Sequence, residues 1–316
     1  MQESRSGHSR RLARAQRLCR RLPPILAQQL RARLYPYERA RRENVRCAAR
    51  AVTGSMLEGW TRDFHFYPFS VQGYYEWRNV AIAAALVSEG DAILEVGANV
   101  GTETVCFADL AGPSGCVHAV EPLPSNAAIL RRANKLSKHG NIAVHEIALS
   151  NQTGSVEFAA PPEHHSGIGH IAAVTGASPT IRVECAKLDS LIAVIGRVQL
   201  IFMDVEGEEI NVLQGGIDFL REFMPPLVLE ASPKLLRRAG SELGELYRML
   251  TSLDYTVYEI ARFGLKPARP AGQTKACNWL CLSKGRNAMA GRIGRNILRA
   301  GLLPCLPGLN PIAGNR

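Results

Sequence analysis

The sequence predicts an α/β domain, a mostly parallel sheet with helices on both faces, and three observations carry that prediction. Short apolar runs alternate with helix-period segments from about residue 76 to residue 283. The stretch Asp91-Ala-Ile-Leu-Glu-Val-Gly-Ala-Asn-Val-Gly-Thr-Glu-Thr-Val105 reads as strand, glycine-bounded turn and helix. Three later apolar runs end in acid, at Glu121, Asp204 and Glu230. Ligands of open α/β sheets bind beyond the carboxyl ends of the strands, so these acids are expected to gather at one edge.

Taken in order, residues 1–53 read as a basic, helical or partly disordered extension, 54–284 as the domain, and 285–316 as a basic tail. The net charge of +10 divides unevenly: residues 1–50 carry +11 and 285–316 carry +5, which leaves −6 for the middle. The opening arginine-rich stretch, Ser4 to Arg21, has leucines at helical intervals, as membrane-surface helices, nucleic-acid arms and transit peptides do. It lacks interleaved aromatics and a strong apolar face, which favours a solvated extension. Residues 24–50 continue as helix broken near Tyr35-Pro36-Tyr37, and the aromatic-rich region 54–75 is expected to be irregular, as a lid over the glycine turn or as ordinary core.

An apolar helix from Glu76 to Val87 leads into seven strands, at 92–96, 117–120, 142–147, 198–203, 226–230, 255–260 and 278–283. Helices are expected at 102–111, 124–137, 187–195, 208–223 and 241–252. The insertion 154–184 carries two short strands around a Gly-, His- and Pro-rich loop, a composition suited to substrate recognition. No apolar run is long enough to cross a bilayer. The eight cysteines show no C-x-x-C and no metal-ligand spacing, so no metal is expected, and a cytoplasmic setting fits.

The glycine turn narrows the ligand. Its pattern is E-x-G-x-x-x-G, with neither the third glycine of a dinucleotide site nor the G-K-[ST] of a P-loop. Gly97 and Gly101 allow positive φ and close approach of a ligand. Acids at Glu95 and Glu103 repel a triphosphate and suit a ligand with a positive end, such as S-adenosylmethionine. Glu121 follows Gly101 by 20 residues, the spacing of the carboxylate that grips ribose hydroxyls in doubly wound folds. Asp204 and Glu206, two apart at a strand end, would face one crevice if the segment is extended and would position or deprotonate an acceptor. Alternatively, Asp204 caps the next helix, with Glu208 and Glu209 in its first turn. His164, His165 and His170 are the clustered imidazoles, with His165 as a further candidate base.

Ile93 to Val105, Glu121-Pro122-Leu-Pro-Ser-Asn126, Ala148-Leu149-Ser-Asn151, Leu188-Asp-Ser-Leu191 and Asp204-Val-Glu-Gly-Glu-Glu209 together resemble the FkbM-type family of S-adenosylmethionine-dependent methyltransferases. The resemblance covers about residues 75–284. It implies a class I, Rossmann-like methyltransferase fold with a seven-stranded sheet, and methylation of a hydroxyl on a sugar, polysaccharide or small natural product. On that reading the methionine end lies along Gly97, Asn99 and Gly101 with Glu95 near its amine. Glu121 and Pro122 flank the ribose, and Ala148 and Leu149 flank the adenine. Asp204, Glu206 or His165 accepts the proton of a small-molecule or glycan acceptor. Two other readings stay open: a nucleotide-dependent oxidoreductase on the same architecture, and nucleic-acid or peripheral membrane contact through the arginine-rich ends.

Overall fold

The computed structural model describes residues 9–159, 166–171 and 180–314. Ser9 caps α1 (Arg10–Cys19), its hydroxyl accepting from the Leu12 N–H. Pro24 opens α2 (Pro24–Leu34) and Pro36 precedes α3 (Tyr37–Glu43). A hairpin of β1 (Arg46–Arg50) and β2 (Met56–Trp60) leads to α4 (Phe66–Gln72) and α5 (Trp77–Leu86). Then follow β3 (Ala92–Val96), α6 (Thr104–Ala111), β4 (Cys116–Val120), α7 (Pro124–Leu136), β5 (Ile142–His145) and β6 (Ala148–Leu149). The insertion holds β7 (Gly154–Ala159), β8 (His170–Ile171) and β9 (Thr180–Ala186), and α8 (Ile192–Ile195) ends it. The second half runs β10 (Leu200–Met203), α9 (Glu209–Gln214), α10 (Ile217–Phe223), β11 (Leu227–Ala231), α11 (Pro233–Arg238), α12 (Leu243–Ser252), β12 (Tyr255–Ala261), β13 (Gly264–Pro267), β14 (Cys277–Ser283) and α13 (Ala290–Leu302).

The main sheet has the order β13-β12-β14-β11-β10-β3-β4-β5. Strands β11, β10, β3, β4 and β5 are parallel to one another, and β14, β12 and β13 add antiparallel pairings. Seven strands were expected; the eighth, β13, is a short edge hairpin partner of β12. Its Lys266 and Pro267 gave no apolar alternation to read. Alternate residues feed opposite faces, as the pleat requires. Ile93, Ala119, Phe202 and Leu280 enter one core with α5, α6 and α13, whereas Leu94, Val96, Ile201, Met203 and Trp279 enter the other with α9 to α12.

Several segments differ from the sequence expectation. Residues 46–60 form a hairpin, and α4 lies within the stretch 54–75 that was expected to be irregular, its Phe66 and Phe69 taking the core alternative of the two readings. Both basic ends pack onto the domain. Leu12, Ala15 and Cys19 of α1 are buried with Tyr67 and Val71, and Ile293, Ile297 and Ala300 of α13 are buried in the α5 core. Among the described residues no helix is long and apolar enough to cross a membrane.

Candidate functional site

The register places the site. Val96 pairs with Met203 on one side and Val120 on the other, so β3, β10 and β4 end level and release Gly97, Asp204 and Glu121 at one edge. Strand order reverses at β3, the switch point where a crevice opens. Gly97 has φ +88°, and a side chain on it would put Cβ 1.9 Å from the Asp204 carbonyl oxygen. Its missing side chain makes room for the neighbouring strand end, and Gly97 also lines the cleft beside it. The N–H groups of Gly97 and Ala98 both donate to the Val120 carbonyl, Gly101 donates to Ala98, and Asn99 donates to Glu121 at 2.8 Å. With those donors engaged, the turn is a poor phosphate cradle.

Glu121 is held from several sides: Oε2 accepts from Asn99, and Oε1 accepts from the Leu123 N–H at 3.0 Å and from Asn126 Nδ2 at 3.4 Å. Burial raises its pKa to about 7, against the pull of these hydrogen bonds. The cleft beside it is lined by Gly97, Asn99, Pro122, Leu123, Ala148, Leu149, Phe158 and Asp204. Ser166 and Gly167 close its top. Asp63 fixes that turn by accepting from the Ser166 N–H at 3.0 Å, and the His65 ring fills the space a side chain at 167 would need. Region 54–75 thus contributes both core and a brace for the cleft's roof.

A second cavity of about 310 Å³ adjoins the first, and Asp204 lines both. Its walls carry Tyr75, Glu76, Asn79, Glu103, Glu230 and Asn278, with Arg78 and Arg262 on the same wall. Asn278 Nδ2 donates to Asn79 Oδ1 at 3.4 Å, and Asn79 Nδ2 donates to Glu103 Oε1 at 2.7 Å. Burial pushes Glu103 well above the usual carboxylate range. Asp204 and Glu230 are also raised, by loss of water and by neighbouring carboxylates, Glu206 and Glu76 for Asp204 and Asp204 for Glu230. Among the described residues nothing hydrogen-bonds to either carboxylate.

The profile of the methyltransferase FkbM domain matches residues 95–257, half of the chain, from the acid before the glycine turn to β12. This chain belongs to the FkbM methyltransferase family. Its methyl donor is S-adenosylmethionine, which removes the oxidoreductase alternative. Similar solved structures include a methyltransferase FkbM from Methylobacillus flagellatus KT, at 16% identity and TM-score 0.41, with 86% of this chain and 59% of that one covered. This chain therefore spans less than two thirds of that relative's length. Others are an S-adenosylmethionine-dependent O-methyltransferase from Thermotoga maritima (16%, TM-score 0.36, 66% of each chain) and Aeropyrum pernix fibrillarin with natively bound S-adenosyl-L-methionine (17%, TM-score 0.37, 65% of this chain and 76% of that one). No curated protein matches the chain.

The residues of this FkbM domain fit a donor with a cationic end. Glu95 is buried, its Oε2 has no hydrogen-bond partner, and burial raises its pKa to about 8. A fixed positive charge nearby would offset that burial cost. Of the sequence candidates, Gly97, Asn99, Glu121, Pro122, Ala148, Leu149 and Asp204 come together along the cleft. Glu95 lies behind the cleft wall, on the β3 face it shares with Ile93. Gly101 sits back against Leu130, 2.9 Å from where its Cβ would be.

Glu206 does not face the crevice with Asp204. The chain leaves β10 at Met203 and Glu206 takes φ +56°, so the two-residue alternation of a strand is broken. Its Oε2 lies 3.3 Å from Arg238 Nη2, whose guanidinium also donates to the Glu206 carbonyl at 2.6 Å. Nor does Asp204 cap α9, whose N-cap is Glu208. Glu208 accepts from Asn211 at 2.7 Å, and Glu209 accepts from the Gly207 N–H at 3.2 Å. His164 and His165 lie outside the described residues, and His170 is half-buried in β8. Sequence reasoning missed Asn79 and Asn278 and had Tyr75 only as one aromatic of the region 54–75. They come from α5, the loop before it and β14, and only the folded sheet brings them beside Glu103.

Proposed function

We propose that this enzyme methylates a hydroxyl oxygen of a small polyhydroxylated acceptor, a sugar, a glycan end or a natural product, held in the cavity beyond Asp204. The observation that carries the reading is the position of Asp204, the carboxylate common to both cavities and without a hydrogen-bond partner among the described residues. S-adenosylmethionine supplies a methyl group already activated on a sulfonium. The chain's own residues bind and align the two molecules and take up one proton. Glu121, fixed by the Asn99 and Leu123 N–H groups, is oriented to accept ribose hydroxyls. Pro122, Ala148, Leu149 and Phe158 offer an apolar slot for the adenine, and Glu95 balances the charged methionine end. Asp204 receives the acceptor's proton as the oxygen takes the methyl group, and its raised pKa suits a base working near neutrality.

The acceptor cavity is polar and suits a hydroxyl-bearing molecule. Asn79, Asn278 and Tyr75 give neutral donors and acceptors of the kind a hydroxyl-bearing acceptor needs, and Arg78 is paired with Glu76 at 3.4 Å. The test is the bond the methyl group ends on. With labelled donor, the protein and its source extract should yield a product whose label survives mild alkali and maps by mass spectrometry to an ether oxygen. A label released by mild alkali, or found on nitrogen, overturns the hydroxyl assignment.

A further inference from the structure

The two arginine-rich ends of the chain meet. The Cys305 N–H donates to the Arg21 carbonyl at 3.2 Å, which sets the loop after α13 against the turn between α1 and α2. Gly301 of α13 sits beside Ile25 of α2, whose Cδ1 is 3.4 Å from where a Cβ on Gly301 would be. The loop is pinned: Asn310, itself buried, donates from Nδ2 to the carbonyls of Leu303 (2.7 Å) and Ala300 (3.0 Å). Around this junction Leu18, Leu26, Leu302, Leu306 and Leu309 stay exposed, Leu26 by 51% and Leu302 by 53%. Single exposed leucines are ordinary, but several gathered at one pinned junction make an apolar patch of the kind that meets a partner.

Arginines flank the patch on both helices. On α1, Leu12, Ala15 and Cys19 are buried, while Arg14, Arg17 and Arg21 share the exposed stripe with Leu18. On α13, Ile293, Ile297 and Ala300 are buried, while Arg295 and Arg299 share the exposed stripe with Leu298 and Leu302. Among the described residues no ion pair engages any of these five arginines. Neither residues 4–37 nor residues 285–316 contain an Asp or Glu, so neither end supplies the surface with a countercharge. The partner must therefore be anionic and must also accept leucine. The stripes hold no aromatic on which a nucleic-acid base could stack. A second copy of the chain would set arginine against arginine.

We infer that this junction docks on the surface of an anionic phospholipid bilayer, its leucines entering the acyl boundary and its arginines lying among the headgroups. The proposal does not rest on the methyl-transfer reading, so folding of each variant is checked by melting temperature. The full chain is sedimented with vesicles of phosphatidylcholine alone, and with vesicles of one part phosphatidylglycerol to three parts phosphatidylcholine. The expected result is saturable binding to the anionic vesicles, little to the neutral ones, and weakening as salt is raised. Leu302→Ser/Leu306→Ser should weaken binding to the anionic vesicles about tenfold or more, because two apolar anchors are lost. Arg295→Glu/Arg299→Glu should weaken it by a similar factor. All four positions are exposed. Should either variant melt lower than wild type, Leu26→Ser or Arg17→Gln, at exposed positions of α2 and α1, replaces it, with a smaller loss in the same direction. Equal binding to the neutral vesicles, or binding that the serine variant keeps in full, overturns the proposal. So does the absence of vesicle binding, and a poly-uridine RNA bound in its place would assign the surface to nucleic acid.

Discussion

The two cavities that meet at Asp204 are finished to different degrees. In the cleft, Glu121 has its oxygens engaged by Asn99, Leu123 and Asn126 before any ligand arrives. In the neighbouring cavity, Asp204 and Glu230 carry raised pKa values and no hydrogen bond from the described residues. A pre-bonded carboxylate is already oriented and binds without reorganisation, whereas an open one gains most when a ligand supplies the missing partner. The side assigned to the common donor is therefore rigid, and the side assigned to the acceptor is completed by the acceptor.

The largest effect is expected at the seam between the two. Gly97→Val must displace the Asp204 carbonyl and hold a β-branched residue at positive φ, so the variant should fail to fold or melt about 10 °C lower or more. A wild-type melting temperature with donor binding lost would make ligand contact the main role of Gly97. Next, Asp204→Asn should lower kcat roughly a hundredfold or more while donor affinity moves little. In the wild type kcat/KM should climb with pH as Asp204 loses its proton, displaced above the ordinary carboxylate range, and the variant should lose that limb. Rates near wild type would remove Asp204 as the base.

Glu121→Ala should weaken donor binding by roughly tenfold, since it deletes an oriented acceptor of two hydroxyls; unchanged affinity by calorimetry would show that the cleft holds something else. Glu95→Gln sharpens the contrast through pH. The Glu95 pKa rises on folding from 4.5 to about 8, so its contribution to stability is fully present below pH 4.5 and is lost as pH climbs through 8. The ligand-free variant should melt a few degrees higher than wild type at pH 8, about 2–4 °C per kcal/mol recovered, and the gap should close at pH 5. It should also bind the donor less well. Glu206→Gln is the smallest: with its side chain on Arg238, kcat should stay within about threefold of wild type.

What the sequence showed and what it hid follow from range. Ala92–Val96 and Gly97 were legible because a buried parallel strand must be apolar and its exit must turn sharply. Each signal is local. Glu121 and Asp204 were legible because strand ends share an edge by topology. Hairpin β1–β2 was not, since Arg46-Cys-Ala-Ala-Arg50 has neither β-branched residues nor alternation. The outward turn of Glu206 was hidden because a non-glycine residue at φ +56° has no sequence signature. The acceptor wall was hidden because Asn79 and Asn278 meet across 199 positions.

The interlocking of the chain's two ends has a kinetic consequence. Cys305 donates to the Arg21 carbonyl and Gly314 to the Val52 carbonyl, each at 3.2 Å, while Asn296 reaches the Ala81 carbonyl at 3.0 Å. Each contact closes a loop more than two hundred residues long, so none can form on a ribosome until nearly all of this sequence has emerged. The β3-β4-β5 part of the sheet, whose strands follow one another closely, is free to assemble earlier. For that interval the face of α5 that α13 covers, with Trp77 against Gly301, stays open to water.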